Sequence, residues 1–552
     1  MERWVLLGLL VIAIGAGTAF FTHIWIGLTH PVAHIGGTYR EGALAQPRTI
    51  NPIFAVRDID RDLSRLIFSG LISYTPQGTP ETDLAQRYEI NPDGKVYTVT
   101  LHENLMWHDG YPLEADDVVF TVLLAQNALY KSPLRPNWQG VKVEEVDRRT
   151  LRFTLRSPYA PFIENLTIGI IPKHLWEGVT PEQIPLHQLA LEPVGSGPYM
   201  FSKIAHANDG SIESYSLKRN PLYYREGPYI RDIEFTFFAT EDALLGEWQK
   251  GRIHGFGPAS QATLSTLDSY SSATAHALRI PRVFGLFFNQ KKAAPLADHA
   301  VREAIARAID KTRLAHEATL GGGVPLDSLL PFFDDEKVAT DTPLYPFDPE
   351  ESRTLLETAG WKDADNDGVR EKTVRQAGKN VTTRLAFTLT TSDWPELLRS
   401  AELLRAMLGE IGIAITVEKK TFAELESAHI RPRNFEILLF GQVYGYEPDP
   451  FAFWHSSQSR DPGLNITHYT NAKSDRLLEE ARTTNNAALR REKLANFAKI
   501  LDTNMPAIAL FSQLYLYVIP NTIQGAEFEK ISLPADRFNH VERWYLDTKR
   551  IF

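Results

Sequence analysis

The sequence contains no cysteine. That excludes disulfide bonds, thiolate metal sites, cysteine nucleophiles and any lipid attached through an N-terminal Cys. The short signatures of common enzymes are missing too. There is no G-x-S-x-G elbow, H-E-x-x-H zinc helix, Walker A loop or G-x-G-x-x-G turn. Gly246–Arg252 approaches the glycine spacing of a phosphate loop, but Arg252 stands where Lys and Ser/Thr are required. The 16 histidines are scattered singly and never at metal-ligand spacing on one helix face, so they read as packed or exposed side chains. Positive charge is in deficit. The 58 Lys and Arg face 68 Asp and Glu, a formal net charge of −10 that argues against nucleic acid as the partner.

At 552 residues, 43% hydrophobic and 23% charged, the chain has the composition of an ordered globular protein. It is too long for one compact core, so two or three domains or lobes are expected. A single long apolar run stands out, Val5 to Leu28, with no formally charged residue. As a helix it spans about 36 Å, enough for a hydrocarbon core of roughly 30 Å. Ala16-Gly17-Thr18-Ala19 offers a small-residue cleavage site, yet apolar residues continue to Ile26. An uncleaved N-terminal anchor over residues 1–35 is therefore expected ahead of a cleaved signal. The remainder reads as one water-soluble body on one side of a membrane.

Strand and helix signals alternate along that body, which indicates α/β lobes. Asp58 to Phe68 reads as an amphipathic helix. Tyr88 to Leu101 reads as a hairpin turning at Asn91-Pro-Asp-Gly94, and Asp116 or Asp117 caps a helix from Val118 to Leu129. Val283-Phe-Gly-Leu-Phe-Phe-Asn289 is the core of a buried strand, and His299 to Ala318 presents one apolar helical face. Later strands are expected at Leu385–Thr390, Ile413–Val417, Phe435–Phe440 and Ile508–Val518, with helices between them.

The Phe435–Phe440 run leads into Tyr444 to Trp454, where five aromatics, two carboxylates and two prolines fall within eleven residues. Prolines stiffen the backbone and remove donors, so this is an exposed, rigid connection rather than a helix or strand. Aromatic walls around a few placed acids suit a ligand cleft; the same composition suits a loop whose aromatics pack inward. A second motif, Asp363, Asp365 and Asp367 before Gly368, copies the first half of a calcium loop. Its twelfth position is Val374, so a tight Asp/Gly turn is expected, with these three residues a weak metal candidate.

Several stretches, in order, resemble the bacterial extracytoplasmic solute-binding proteins of family 5, the peptide- and nickel-binding group of ABC importers. They are Leu84 to Val122 with its DG hairpin, WHDG-x-P turn and A-x-DV helix start, then Gly195-Ser-Gly-Pro-Tyr199, Phe288-Asn289 and Val301 to Asp310. Ala359 to Glu371 and Asp449-Pro-Phe complete the set, over roughly residues 36–550. The resemblance implies an α/β, periplasmic-binding-protein-like fold (type II, cluster C), with two ligand-closing lobes, an inserted extra lobe and one N-terminal transmembrane helix. Lobe I would be 36–77, 194–280 and 514–552; lobe II 78–193; lobe III 281–513. It further implies a monomeric, membrane-anchored extracytoplasmic receptor without cofactor or catalysis that takes oligopeptides between lobes I and III and delivers them to a permease. Tyr444, Tyr446 and Trp454 would form stacking walls, Glu447 and Asp449 would partner a ligand amine, and Asn289 would add polar contacts. Gly195, Ser196 and Gly197 would serve as hinge, while Trp107 would be structural. The family's ammonium-pairing Asp falls at Tyr446, so Glu447 or Asp449 replaces it, or the ligand presents no free amine there. Alternatives are a sugar, metal chelate or opine-like ligand, a sensory or chaperone role, and a membrane-tethered hydrolase.

Overall fold

The computed structural model describes residues 30–260, 272–330, 344–376 and 379–551, together with Gly15 and Thr263. The expected anchor lies, Gly15 apart, outside the described residues. Among those described, no helix is long and apolar enough to cross a membrane.

A twelve-stranded mixed sheet joins distant parts of the chain. Ten strands form its main path, Ala414–Lys420, Ala386–Ser392, Ile437–Val443, Arg282–Phe288, Ala507–Pro520, Gly255–Phe256, Gly36–Ala43, Ile230–Phe237, Ile212–Arg219 and Tyr199–His206, and two more, Ala273–Arg279 and Gly323–Pro325, pair with Ala507–Pro520 beside that path. Ala507–Pro520 is almost uniformly apolar, as a strand covered on both faces must be. Its first half pairs with Arg282–Phe288 and its second half with Ala273–Arg279. Leu510 and Phe511 pack with Leu286, Ile305 and Leu404, whereas Tyr515 and Tyr517 pack with Tyr39, Ile233 and Trp544. One strand therefore runs from one core into another, and the chain makes a second crossing at Ile280–Arg282. A separate four-stranded antiparallel sheet, Ala85–Ile90, Val96–Leu101, Thr150–Thr154 and Lys142–Asp147, contains the expected hairpin, with Ile90 opposite Tyr97.

Three local expectations need correction. The helix expected over His299 to Ala318 is two, His299–Ala308 and Lys311–Ala318. Asp310 caps the second by accepting from Arg313 N at 2.9 Å, and the apolar face continues because both helices pack on one core. The helix expected from Val118 starts at Ala115. Asp117 sits inside its first turn, accepting from Glu114 N at 3.0 Å and from Trp107 Nε1 at 3.3 Å, so it ties the WHDG turn to the helix. The strand expected to stop before Gly441 continues to Val443. Gly441 faces Phe284 across the ladder, and a Cβ there would lie 2.8 Å from the ring.

Candidate ligand-binding cleft

The strand Ile437–Val443 delivers Tyr444 to the edge of the sheet, where Tyr444 N donates to Pro281 O at 2.9 Å. From there Pro448 and Pro450 carry the chain to a short helix, Phe451–Trp454. The structure splits the expected site residues. Trp454 is 1% exposed, its ring stacked on Phe287 and its Nε1 donating to the Tyr444 hydroxyl at 3.2 Å. It is a core residue beneath the loop and not a cleft wall. Tyr444 is also buried, although one edge reaches a cavity.

Asn289 is not part of this group. Its side chain donates to Arg433 O at 2.8 Å and accepts from the amides of Lys291 and Lys292, which consumes its polar atoms. It follows Phe288, which pairs with Ile437 at the far end of the strand that feeds the loop. Seven residues of strand place it about 20 Å from the loop.

Tyr446, Glu447 and Asp449 do come together, but each is held by the protein itself. Tyr446 lies flat on Tyr74, ring centroids 4.0 Å apart and planes within 9°. Glu447 is ion-paired with Arg490, and burial raises its pKa against the opposing pull of Arg490, Lys530 and Arg491. Asp449 accepts from Arg482 Nε at 3.0 Å. The Arg482 guanidinium is sandwiched 4.3 Å from the Phe451 ring and 4.8 Å from Tyr159.

Glu164 reaches the loop from a short helix, Phe162–Asn165, on the other side. Its two oxygens accept from Tyr446 N at 3.0 Å and Glu447 N at 3.2 Å. Gly445 is required for this approach, because a Cβ there would sit 2.0 Å from Oε1 and 2.3 Å from Oε2. Burial pushes the Glu164 carboxyl up to about 7 despite those two bonds, and Glu447 and Asp536 push the same way.

Two cavities flank the loop. One of about 680 Å³ opens toward Trp138, Tyr159 and Glu164. The other, about 720 Å³, lies between Gln77–Pro80, Lys530 and the start of the helix Ala487–Asn504. Both volumes fall in the range of small-molecule and cofactor pockets.

The family model described as bacterial extracellular solute-binding proteins, family 5 Middle, matches residues 79–464. The chain belongs to this family. Oligopeptide-binding protein AppA of Bacillus subtilis is 24% identical over 520 residues, covering 93% of this chain and 92% of that protein. Its structure with a nonapeptide superposes with a TM-score of 0.71 at 22% identity, covering 94% of this chain and all of that one. NikZ of Campylobacter jejuni, in complex with Ni(L-His), gives 0.69 at 25% identity over 92% and 99% of the two chains. AgaA of A. tumefaciens R10, in complex with agropinic acid, gives 0.68 at 19% identity over 93% and 99%. The fold is thus the mixed α/β, periplasmic-binding-protein-like one, and this is a family 5 solute-binding protein of an ABC importer.

For a solute-binding protein, the position of the remaining expected residues matters. Gly195–Gly197 is packed where the helix Asp58–Ile67 meets the WHDG turn. Gly197 N donates to Ile67 O at 2.8 Å, and a Cβ on Gly195 would lie 2.0 Å from that carbonyl. His108 clasps the segment, accepting from Gly195 N at 3.1 Å through Nδ1 and facing Gly197 O at 3.1 Å through Nε2. Burial lowers its pKa to about 4, which keeps it neutral. In the Asp/Gly turn, Asp363 accepts from the amides of Asp367 and Gly368, and Asp367 is ion-paired with Arg384. Asp363, Asp365 and Glu371 are the carboxylates that gather there, so Asp367 is not one of the converging group.

Sequence reasoning missed Glu164, Tyr74, Arg482 and Arg490. Nothing in the local composition of these positions marks them. The one available signal was Gly445 between two tyrosines, a gap that a neighbouring group has to fill.

Proposed function

We propose that this chain is an extracytoplasmic receptor that captures oligopeptides in the cavities beside Tyr446–Asp449 and hands them to an ABC permease. The observation that carries this reading is the pair of cavities on either side of the Tyr444–Pro450 loop. In this reading lobe I is 36–77, 194–280 and 514–552, lobe II 78–193 and lobe III 281–513. Ligand capture would move lobe III against lobe I about the two crossings, near Ile280–Arg282 and Phe511–Leu514. Gly195–Gly197 joins lobes II and I and would act as a fixed joint rather than the closing hinge. The family resemblance supports an import role, and the complex of AppA with a nonapeptide supports peptides as the cargo class. An anchor over Val5–Leu28 would keep the monomeric receptor beside its permease.

Thermal-shift screening of the purified chain against peptide pools, sugars and metal chelates tests the reading. Stabilisation by peptide pools is expected. Stabilisation by sugars or chelates alone would overturn the peptide assignment, and turnover of a bound compound would overturn the receptor role.

A further inference from the structure

Glu164 is unlike the other acids at the loop. Glu447 is ion-paired with Arg490, Asp449 with Arg482 and Asp536 with Arg65, whereas Glu164 is held by the amides of Tyr446 and Glu447. The charges that weigh on it from the facing segments are both negative, Glu447 on the loop and Asp536 on the turn Pro534–Phe538. On its own side, Arg156 and Tyr159 line the larger cavity with it. Tyr74, whose ring is stacked on Tyr446, has a buried hydroxyl without a hydrogen-bond partner. Glu164 is the charged group that acts most on that hydroxyl, and both residues border a small cavity of about 40 Å³ with Arg65 and Asp536. A second bond joins the same two stretches of chain, from Ala160 N to Arg482 O at 2.9 Å.

This contact lies between lobes II and III. With the lobes apart, Glu164 would face water as an ordinary carboxyl. Brought together, it loses that water and meets two acids, and both changes favour its protonated form. The Tyr74 hydroxyl oxygen is the acceptor that such a proton calls for, reached directly or through one water. We propose that closing lobe III onto lobe II takes up one proton at Glu164, with the Tyr74 hydroxyl as its acceptor, so that mildly acidic medium favours the closed form and alkaline medium loosens it. The inference rests on the lobe division and movement proposed above. Linkage fixes the sign. Between an ordinary 4.5 and about 7, the open form has released a proton that the closed form keeps. The closed-to-open ratio therefore falls as pH rises and levels off above about pH 7. From about pH 5 to about pH 8 the fall is on the order of fiftyfold.

The chain has no cysteine, so Glu145→Cys and Lys473→Cys, at exposed positions on lobes II and III, place one pair of spin labels. Electron–electron double resonance on the full chain, with no ligand added, then reads the distance between them across that pH range. Two distances are expected, and the one that matches this structure should lose weight as pH rises. In a Glu164→Gln background the two weights should stay constant. A ratio indifferent to pH, or a pH dependence that survives Glu164→Gln, would overturn the proton coupling and leave the lobe movement standing. A single distance at every pH would overturn the movement itself and the proposal with it. Should Glu164→Gln fail to fold, Tyr74→Phe removes only the hydroxyl and is expected to shrink the fall at least about twofold. An undiminished fall in that variant would overturn the proposal.

Discussion

Replacing Glu164 by Gln tests whether a single proton governs the grip between the Phe162–Asn165 helix and the loop. Burial raises this carboxyl from an ordinary 4.5 to about 7, with Glu447 and Asp536 facing it and Tyr74 beside it. At about 1.36 kcal/mol per pKa unit, the rise corresponds to roughly 3 kcal/mol of proton linkage. Below 4.5 the group is protonated in both folded and unfolded chains, and the full stability is present. As pH climbs from 4.5 through 7, the unfolded chain releases its proton first, and folded stability falls. Between about pH 5 and about pH 8 the loss is roughly 2.5 kcal/mol. Gln keeps one acceptor and has no proton to lose, so the variant should lack this component. Denaturant unfolding followed by tryptophan fluorescence, on both proteins at both pH values, reads it as a difference of differences in which all other titrating groups cancel. Equal losses of stability in the two proteins would refute the argument.

Gly445→Ala should push Glu164 off the loop amides and cost about 1–3 kcal/mol in thermal unfolding, with a smaller cost in a Glu164→Ala background. Arg537 donates to Asp62 at 2.8 and 2.7 Å and to Glu41 at 3.1 Å, all buried. Arg537→Met should therefore destabilise by about 3–5 kcal/mol, and Glu41→Gln should recover part of that loss in the melting temperature. Asp310→Ala removes the cap of Lys311–Ala318 and should lower stability by about 1 kcal/mol in denaturant titration.

Much of the fold was legible because it is set by near neighbours. The Asn91–Gly94 turn dictates its hairpin, with Gly94 N bonded to Asn91 O at 2.9 Å. The apolar run at 508–518 reads as a buried strand, and the strand extends over Ala507–Pro520. Where the reading slipped, a local pattern had two physical solutions. The apolar stripe of His299–Ala318 fits one helix or two helices on the same core, and a cap at Asp310 decides between them. Gly441 reads as a stop or as room for Phe284, and only the facing strand chooses.

From the sequence alone came the family order of motifs, the α/β alternation and the location of the loop, since each depends on residues a few positions apart. The charge and accessibility of that loop were decided in three dimensions. Glu447 meets Arg490 and Asp449 meets Arg482, 43 and 33 positions away, while Glu164 lies 282 positions from Tyr446. Trp454 is hidden by Phe287 from a separate strand. Electrostatic character in a cleft is a sum over groups that only folding brings within reach. The aromatic and acidic composition at Tyr444–Trp454 therefore marked a candidate loop, while the arginines and the distant carboxylate set the charge that it presents.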